Sequence, residues 1–302
     1  MKLWLLEQLS KILPPGSILV EEPMSKHTTF RIGGVADILV TPTIATLPQV
    51  IKLAKEAGMP VTVIGNGSNL LVSDKGIRGL TILLGKEAGQ VCLEGNIMQV
   101  EAGCLLSKMA AEAATAGLSG LEFASGIPGS LGGAIVMNAG AYGGEMKDVV
   151  VSATVLSPEG EVLTLSKEEL ELSYRHSCIP EKGYVVLGAT LALEPKEESL
   201  IRAQMADYRE RRIEKQPLEY PSAGSTFKRP EGYFAGKLIE DAGLKGYTVG
   251  GVQVSEKHAG FVINIGGATA ADLLQLVADV QEKVYQMYQV RLEPEVKMIG
   301  EF

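Results

Sequence analysis

Apolar residues recur at two spacings along the chain, and each spacing predicts a different kind of element. Apolar positions three or four residues apart predict helices with one buried face. This pattern occurs at the N-terminus (MKLWLLEQLSKIL) and in residues 46–58, 105–117, 200–215 and 232–242. Short apolar or alternating runs predict strands. They occupy residues 36–41, 61–64, 79–84, 97–103, 148–157, 161–165, 184–194, 251–254, 261–265 and 290–300.

One further helix has a clear start in the sequence. Thr269 and Asp272 have the spacing of a capping box, which predicts a helix that begins at Thr269. Apolar residues follow at helical intervals and predict its buried face: Leu273, Val277, Val280, Val284 and Met287.

A glycine-rich zone interrupts the regular pattern between residues 117 and 144. It holds nine glycines and one charged residue, Glu122. Residues 123–144 carry no charge, but Pro128 and Asn138 and the scarcity of large apolar residues argue against a membrane-spanning helix. A loop this long and apolar exposes much backbone unless it lies against a large flat surface. An enclosed cofactor ring fits this better than a buried structural loop between sheets, although both readings stay open.

Composition narrows the class of protein. The 302 residues suffice for two domains or one large one, and 46% hydrophobic and 21% charged residues indicate a soluble folded protein. A net charge of −8 argues against nucleic-acid binding. The chain shows no export signal, and its widely spaced cysteines predict a cytoplasmic protein. Three buried cysteines and no metal site are expected, because cysteines and histidines are scattered: Cys92, Cys104, Cys178, His27, His176 and His258.

Two short motifs could carry chemistry. Residues 65–69, GNGSN, follow a predicted strand, so successive N–H groups and the side chains of Ser68 and Asn69 could bind a pyrophosphate. Leu70 replaces the third glycine of a Rossmann fingerprint, and a glycine-rich hairpin is an equal alternative. Ser225 and Lys228 match the SxxK pattern of serine β-lactamases, but the partner motifs are absent, which favours a surface turn.

Seven strings, taken in order, closely resemble the bacterial UDP-N-acetylenolpyruvoylglucosamine reductases. They extend over almost the whole chain: HTTFRIGG (27–34), GNGSNLLV (65–72), SGIPGSLGGAIVMNAGAYGGE (125–145), YRHS (174–177), PSAGSTFKRP (221–230), SEKHAGFVIN (255–264) and LEPEV (292–296). The resemblance implies an α+β fold. Its FAD-binding module would be of the two-lobed vanillyl-alcohol-oxidase (PCMH) type, and a C-terminal α+β domain would bind substrate. The implied division is a lead-in at 1–29, an FAD-binding domain at 30–196 and a substrate-binding domain at 197–302. A change of composition near residue 195 agrees with it.

The resemblance implies a cytoplasmic FAD enzyme of peptidoglycan synthesis. Such an enzyme uses NADPH to reduce the enolpyruvyl ether of UDP-N-acetylglucosamine to UDP-N-acetylmuramate. Hydride reaches C3 of the enolpyruvyl group, and the negative charge that develops at C2 needs positioned donors. FAD is expected to be dissociable, because no His or Cys is suited to covalent attachment. No nucleic acid, membrane insertion or obligatory protein partner is implied.

Site residues follow position by position from the same resemblance. Arg175 would stabilise the charge at C2, Glu295 would assist it, protonated or sharing a proton, and Ser225 would protonate C2. The implied substrate contacts are Tyr142, Tyr174, Lys215 and Lys228. The implied cofactor contacts are Gly65, Asn66, Gly67, Ser68, Asn69, Gly126, Ile127, Pro128, Gly129, Ser130, Gly133, Asn138 and Ala139.

The chain departs from the family pattern in two places. It resembles the shorter subgroup, which lacks an inserted tyrosine-bearing loop that closes over the substrate. It also has Thr226 and Arg229 where subgroup members often have Phe and Asn. A flavin oxidase of the same superfamily is the main alternative, but it gives no reason for PSAGSTFK or LEPEV. A sugar-nucleotide sensor without activity would lack one of Arg175, Ser225 and Glu295.

Overall fold

The computed structural model describes residues 2–302, and within them the chain forms seven α-helices and nineteen strands. The helices are α1 (Lys2–Ile12), α2 (Leu47–Glu56), α3 (Leu106–Thr115), α4 (Leu131–Val136), α5 (Glu198–Lys215), α6 (Ala235–Asp241) and α7 (Ala270–Tyr288). The strands are β1 (Ile18–Pro23), β2 (Val35–Val40), β3 (Val61–Ile64), β4 (Leu70–Val72), β5 (Ile77–Leu83), β6 (Val91–Glu94), β7 (Ile97–Glu101), β8 (Leu118–Ser119), β9 (Gly140–Ala141), β10 (Gly144–Glu145), β11 (Val150–Leu156), β12 (Val162–Ser166), β13 (Val185–Ala192), β14 (Glu194–Pro195), β15 (Ser222–Ser225), β16 (Thr248–Val249), β17 (Val252–Val254), β18 (Phe261–Asn264) and β19 (Lys297–Ile299).

The chain divides into two compact units, and each draws on three separate ranges. The first unit contains the residues through Leu19, Leu39–Asn66 and Leu80–Arg211. The second unit contains Val20–Ile38, Gly67–Gly79 and Arg212–Phe302. The domain boundaries expected at 29/30 and 196/197 stay a prediction. No helix in residues 2–302 has the length and apolar character needed to cross a membrane.

A five-stranded antiparallel sheet of order β12-β11-β13-β7-β6 forms the centre of the first unit. Its strands alternate in burial, and Ala153, Val155 and Leu191 face the core. Helix α4 packs against β13 and β7. Cys104 and Cys178 are buried as expected, but Cys92 is exposed, which corrects that expectation. Cys92 lies on the outward face of β6, at the edge of the sheet.

Helix α4 was not expected, because glycines fill the segment around it. Leu131, Ala134 and Ile135 are nevertheless buried on one face of this short helix. Gly132 allows a close approach, since a Cβ there would lie 3.1 Å from the Cβ of Ala102. Burial therefore stabilises a helix that intrinsic propensity disfavours.

The second unit packs α6 and α7 with an antiparallel sheet of order β15-β18-β17-β16. The predicted stripe on α7 is buried except at one position. Met287 is 48% exposed, so the prediction that it lies in the core is wrong. Tyr288 and Val290 cover the core at this end of the helix instead. The C-terminal strand pairs in parallel with β4 and is limited to Lys297–Ile299. A further four-stranded sheet has the order β1-β2-β5-β3.

Candidate active site

The loop after β3 approaches the glycine-rich block in the first unit. The Nδ2 of Asn66 donates a hydrogen bond to the carbonyl oxygen of Pro128, at 2.7 Å. A Cβ on Gly65 would lie 2.1 Å from the Oγ of Ser130. Glycine at position 65 therefore lets the two segments meet. Two strings that lie about sixty residues apart in sequence form one surface, as the predicted cofactor site requires.

Ser130 has a feature that points to a ligand. The residue is 3% exposed, and its Oγ has no hydrogen-bond partner within residues 2–302. A buried hydroxyl without a partner is unfavourable and is rare in folded proteins. The hydroxyl lies against Gly65, in the segments expected to hold FAD. These residues therefore fit a cofactor with hydrogen-bonding groups, such as the phosphates of FAD.

The remaining residues of the block provide backbone surface more than side chains. Gly126, Pro128 and Gly133 are exposed. A Cβ on Gly133 would meet no atom within 4 Å, so this face of α4 is open. Half-buried positions complete the set of predicted contacts: Ile127, Gly129 and Ala139.

Asn138 differs from the other predicted cofactor residues because its side chain bonds within the protein. It is fully buried, and its Nδ2 donates to Glu145 Oε2 at 2.5 Å and to the carbonyl oxygen of Ser173 at 3.1 Å. Its Oδ1 accepts the backbone N–H of Lys147 at 2.8 Å. These bonds engage both the Nδ2 and the Oδ1 of the amide, so cofactor contact at this residue would involve its backbone.

Tyr174 and Arg175 occupy the two central positions of a tight turn from Ser173 to His176. Ser173 and His176 exchange backbone hydrogen bonds of 3.2 and 3.1 Å. Arg175 has a φ of 55°, a conformation that favours glycine. Its guanidinium carbon lies 5.0 Å from the ring centre of Tyr174. Tyr174 is 51% exposed. One strained turn carries both predicted residues.

Tyr142 is partly exposed and also has a positive φ, of 54°. Its ring stacks on Tyr208 of α5, with centroids 4.5 Å apart and planes at 9°. Tyr208 was not among the predicted residues. The only signal for it in the sequence is a lone aromatic residue in a strongly charged helix, which does not distinguish a site from a solvated face.

In the second unit, the rest of the GNGSN loop contacts two other motifs. Gly67 has a φ of 64°, and a Cβ there would lie 2.1 Å from the carbonyl oxygen of His27. The Nδ2 of Asn69 donates to the carbonyl oxygen of Glu295 at 3.1 Å. Ser68, between them, is half-buried. The loop therefore links HTTFRIGG with LEPEV, which was not predictable from spacing.

Ser225 and Glu295 lie on neighbouring backbone segments of the second unit, although seventy residues separate them in sequence. Ser225 ends β15, directly after Gly224, which has a φ of 76° at an irregular point of the strand. The N–H of Glu295 donates to the carbonyl oxygen of Thr226 at 2.8 Å. Glu295 is buried, with 8% of the residue exposed. The backbone segments that bear Ser225 and Glu295 are thus held next to each other.

The predicted lysines differ in their surroundings. Lys228 Nζ lies 3.1 Å from Glu293 Oε2 in a partly exposed ion pair. Lys215 is exposed in the last turn of α5. The two departures from the family pattern are built into the local structure. Thr226 Oγ1 accepts the N–H of Val262 at 3.0 Å, and the guanidinium carbon of Arg229 lies 3.9 Å from the ring centre of Phe234.

Burial shifts the pKa of one histidine and of two cysteines. Burial lowers the pKa of His258, whose Nδ1 accepts the N–H of Gly260 at 3.1 Å. Burial raises the pKa of Cys104 and of Cys178. Within residues 2–302 no group of three or more His, Cys, Asp or Glu side chains could hold a metal ion.

Two family profiles match this chain. The FAD binding domain matches residues 36–166, and the UDP-N-acetylenolpyruvoylglucosamine reductase C-terminal domain matches residues 216–299. The chain is therefore an FAD-binding flavoprotein with a separate C-terminal domain. These matches confirm the expected α+β fold with its PCMH-type FAD-binding module.

Named relatives extend over nearly the whole chain. The UDP-N-acetylenolpyruvoylglucosamine reductase of Agathobacter rectalis is 59% identical, over 98% of both chains. That of Alkaliphilus oremlandii is 54% identical, over 99% of both. The crystal structure of the UDP-N-acetylenolpyruvylglucosamine reductase of Thermus caldophilus is 39% identical with a TM-score of 0.81, covering 93% of this chain and 97% of that one. The chain belongs to the UDP-N-acetylenolpyruvoylglucosamine reductase family.

Proposed function

We propose that this chain reduces the enolpyruvyl ether of UDP-N-acetylglucosamine to UDP-N-acetylmuramate, with NADPH as hydride donor and dissociable FAD as cofactor. The reaction supplies a precursor of peptidoglycan, in the cytoplasm. Family membership over the whole chain supports this function. The structural observation that carries it is the backbone pairing of Glu295 with Thr226, which brings the segment that bears the buried residue Glu295 next to the strand end that bears Ser225.

When bound, FAD would supply the hydride-transfer chemistry between NADPH and C3 of the enolpyruvyl group. In the first unit, the cofactor would be held by residues 65, 66 and 126–139. Residues 67–69, in the second unit, would also contact it. Asn66 fixes the position of Pro128, and the hydroxyl of Ser130 is available to hydrogen-bond the cofactor. Glycines at 65, 67 and 133 allow backbone N–H groups to approach closely.

Arg175 would stabilise the negative charge that develops at C2 and in the substrate carboxylate. A guanidinium group carries a permanent charge and matches the planar geometry of a carboxylate. The tight turn fixes the backbone of Arg175 before substrate binds, so little reorganisation is needed during the reaction. Tyr174, on the same turn, and Tyr142 would contact the sugar nucleotide, and Lys215 and Lys228 would neutralise its diphosphate.

Ser225 would donate the proton to C2, and Glu295 would assist the stabilisation of charge. A serine hydroxyl is a weak acid, so the alkoxide left behind requires nearby donors or positive charge. Lys228 lies three residues away but pairs with Glu293. Its contribution to Ser225 therefore competes with this ion pair.

Ser225→Ala tests the assignment, because it removes a group needed only in the second half-reaction. We expect NADPH to reduce the flavin at a near-normal rate, while oxidation of the reduced enzyme by the enolpyruvyl substrate slows by about 100-fold or more. Stopped-flow absorbance measures both steps. Ser222→Ala, at the other end of β15, is the matched control and should affect neither step. An equal loss in both steps would contradict the proton-donor role.

A further inference from the structure

The backbone at Arg175 is held in a conformation that arginine does not favour. Its φ of 55° occurs at the second central position of a turn, where glycine is the usual residue. Such a conformation persists only when the surrounding structure fixes it, and it is often found at functional sites. The turn is short, because Ser173 and His176 pair directly across it. Contacts outside the turn must therefore hold it in place.

Two side-chain hydrogen bonds join the turn to the glycine-rich block. Asn138 Nδ2 donates to the carbonyl oxygen of Ser173 at 3.1 Å, directly before Tyr174. Ser177 Oγ donates to the carbonyl oxygen of Val136 at 2.8 Å, two residues after Arg175. Asn138 and Ser177 are 0% and 1% exposed. Each bond comes from a buried side chain, so both ends of the turn are attached to the glycine-rich block.

The amide of Asn138 has one orientation that satisfies all its partners. Its Oδ1 accepts the N–H of Lys147, and its Nδ2 also donates to Glu145. Glu145 is in turn fixed by an ion pair with Lys147, at 2.5 Å. A flipped amide would place its oxygen against two acceptors. Asn138 has a φ of 43°, which asparagine tolerates better than most residues. Residue type, backbone and partners agree at this position.

We infer that Asn138 is a positioning residue that, together with Ser177, holds the turn bearing Arg175 in its reactive conformation. The inference rests on the proposed function, in which Arg175 acts only in the second half-reaction. It assigns to the buried Asn138 side chain a role in substrate reduction that differs from cofactor contact. The segment that lines the predicted FAD site thereby also fixes the arginine.

Asn138→Asp isolates the donor atom, because it preserves size and tolerance of positive φ but places an oxygen against Ser173 and Glu145. We expect the second half-reaction to slow by about 10- to 100-fold more than flavin reduction by NADPH. Asn96→Asp is the matched control, since Asn96 Nδ2 donates to the carbonyl oxygen of Leu193 at 3.1 Å in the same unit. The control should slow the two half-reactions by similar factors.

A double-mutant cycle separates positioning from general damage. In an Arg175→Lys background, Asn138→Asp should slow the second half-reaction by no more than about threefold further, because a misplaced turn no longer misplaces the arginine. An undiminished effect in that background would overturn the inference. If Asn138→Asp does not fold, Ser177→Ala is put through the same cycle, with about a 3- to 10-fold selective loss expected.

Hydrogen exchange tests whether Asn138 holds the turn, and it needs no activity measurement. The N–H groups of Ser173 and His176 should exchange faster in Asn138→Asp than in wild type or in Asn96→Asp. Unchanged exchange, or no selective kinetic loss in either Asn138→Asp or Ser177→Ala, overturns the inference. If wild-type protein reduces no enolpyruvyl substrate, the proposed function fails, the catalytic half of the inference fails with it, and exchange alone decides whether Asn138 holds the turn.

Discussion

Residues with strained backbones are concentrated in the motifs of the candidate site. Within residues 2–302, seven non-glycine residues have a positive φ. Four of them lie in the strings that carry the family resemblance: Arg31, Asn138, Tyr142 and Arg175. The other three are Glu21 within β1, Glu171 in a turn and Gln289 at the end of α7. Because such conformations are unfavourable for most residues, their grouping indicates that these segments are shaped for a function.

Gly67 gives a prediction about close approach at the residue scale. Gly67→Ala would place a Cβ 2.1 Å from the carbonyl oxygen of His27, so the loop must move. We expect FAD affinity to fall about tenfold or more, which equals about 1.4 kcal/mol. Titration of apoprotein with FAD measures it. Gly95→Ala is the control, because Gly95 has a φ of 62° with no atom within 4 Å of a new Cβ. Similar affinity losses in both variants would refute a specific role for the approach.

At the residue scale, the sequence predicts which residues form the candidate site but not which residues they contact. The predicted residues came from the order of the motifs, while their partners came from the fold. The bond from Asn138 to Ser173 joins residues thirty-five positions apart, and that from Asn69 to Glu295 joins residues more than two hundred apart. The spacing of apolar residues in the sequence does not predict such pairs. The side-chain role of Asn138 was therefore not predictable, although its motif was.

At the scale of elements, the start of α7 is fixed by more than its own sequence. The capping box is confirmed, with Asp272 N–H donating to Thr269 Oγ1 at 3.1 Å and Thr269 N–H donating to Asp272 Oδ2 at 2.9 Å. Asp74, from a distant loop of the same unit, accepts the N–H groups of Ala270 and Ala271 at 2.8 and 3.0 Å. A negative charge at a helix N-terminus is favourable.

Asp74→Ala should therefore lower the free energy of unfolding by about 1–2 kcal/mol, because two helix N–H groups lose their acceptor. Chemical denaturation followed by circular dichroism measures the change. Asp207→Ala is the control, since Asp207 makes an exposed ion pair with Arg211 at 2.8 Å and should contribute about 0.5 kcal/mol or less. An Asp74 variant as stable as the control would show that the cap is dispensable.

Glu122 gives a prediction about pH. Burial raises the pKa of its carboxyl group, but hydrogen bonds from Ser119 Oγ at 2.6 Å and Gly120 N–H at 2.8 Å outweigh burial, so the pKa lies below its usual value. A carboxyl group with a lowered folded-state pKa adds stability that is complete above the unfolded pKa of about 4.3. That stability disappears as the pH falls through the folded pKa.

Glu122→Gln should accordingly be less stable than wild type at pH 6–7, and the difference should shrink as the pH falls below about 4. Thermal melts across this range provide the measurement. Glu112→Gln, on the exposed side of α3 and 3.8 Å from Lys108, is the control. A difference that stays constant or grows toward low pH would contradict the stabilising role of the Glu122 carboxylate.

The pattern of apolar residues along the chain predicts some helices and strands correctly and misses others. The strand at 61–64 is confirmed residue for residue, and the helices near 46–58, 105–117 and 200–215 are confirmed within a few positions. The pattern missed α4, because its stability comes from packing and its glycines predict a loop. The C-terminal strand was predicted too long, because only Lys297–Ile299 finds a partner in β4.

At the scale of the whole molecule, sequence reasoning divides a chain into consecutive ranges. The two compact units each combine three ranges, and the chain passes between them five times. A change of composition near residue 195 cannot record this interleaving. The net charge of −8 does not conflict with a diphosphate substrate, because a few local cations suffice to bind one diphosphate.

The most direct test of the proposed function is the visible spectrum of the purified protein without oxygen. NADPH should bleach the yellow flavin band, and UDP-N-acetylglucosamine enolpyruvate should then restore it. This sequence would identify cofactor, donor and acceptor in one sample. A band that returns only with oxygen would favour an oxidase. A folded protein that stays colourless after incubation with FAD would contradict the whole account.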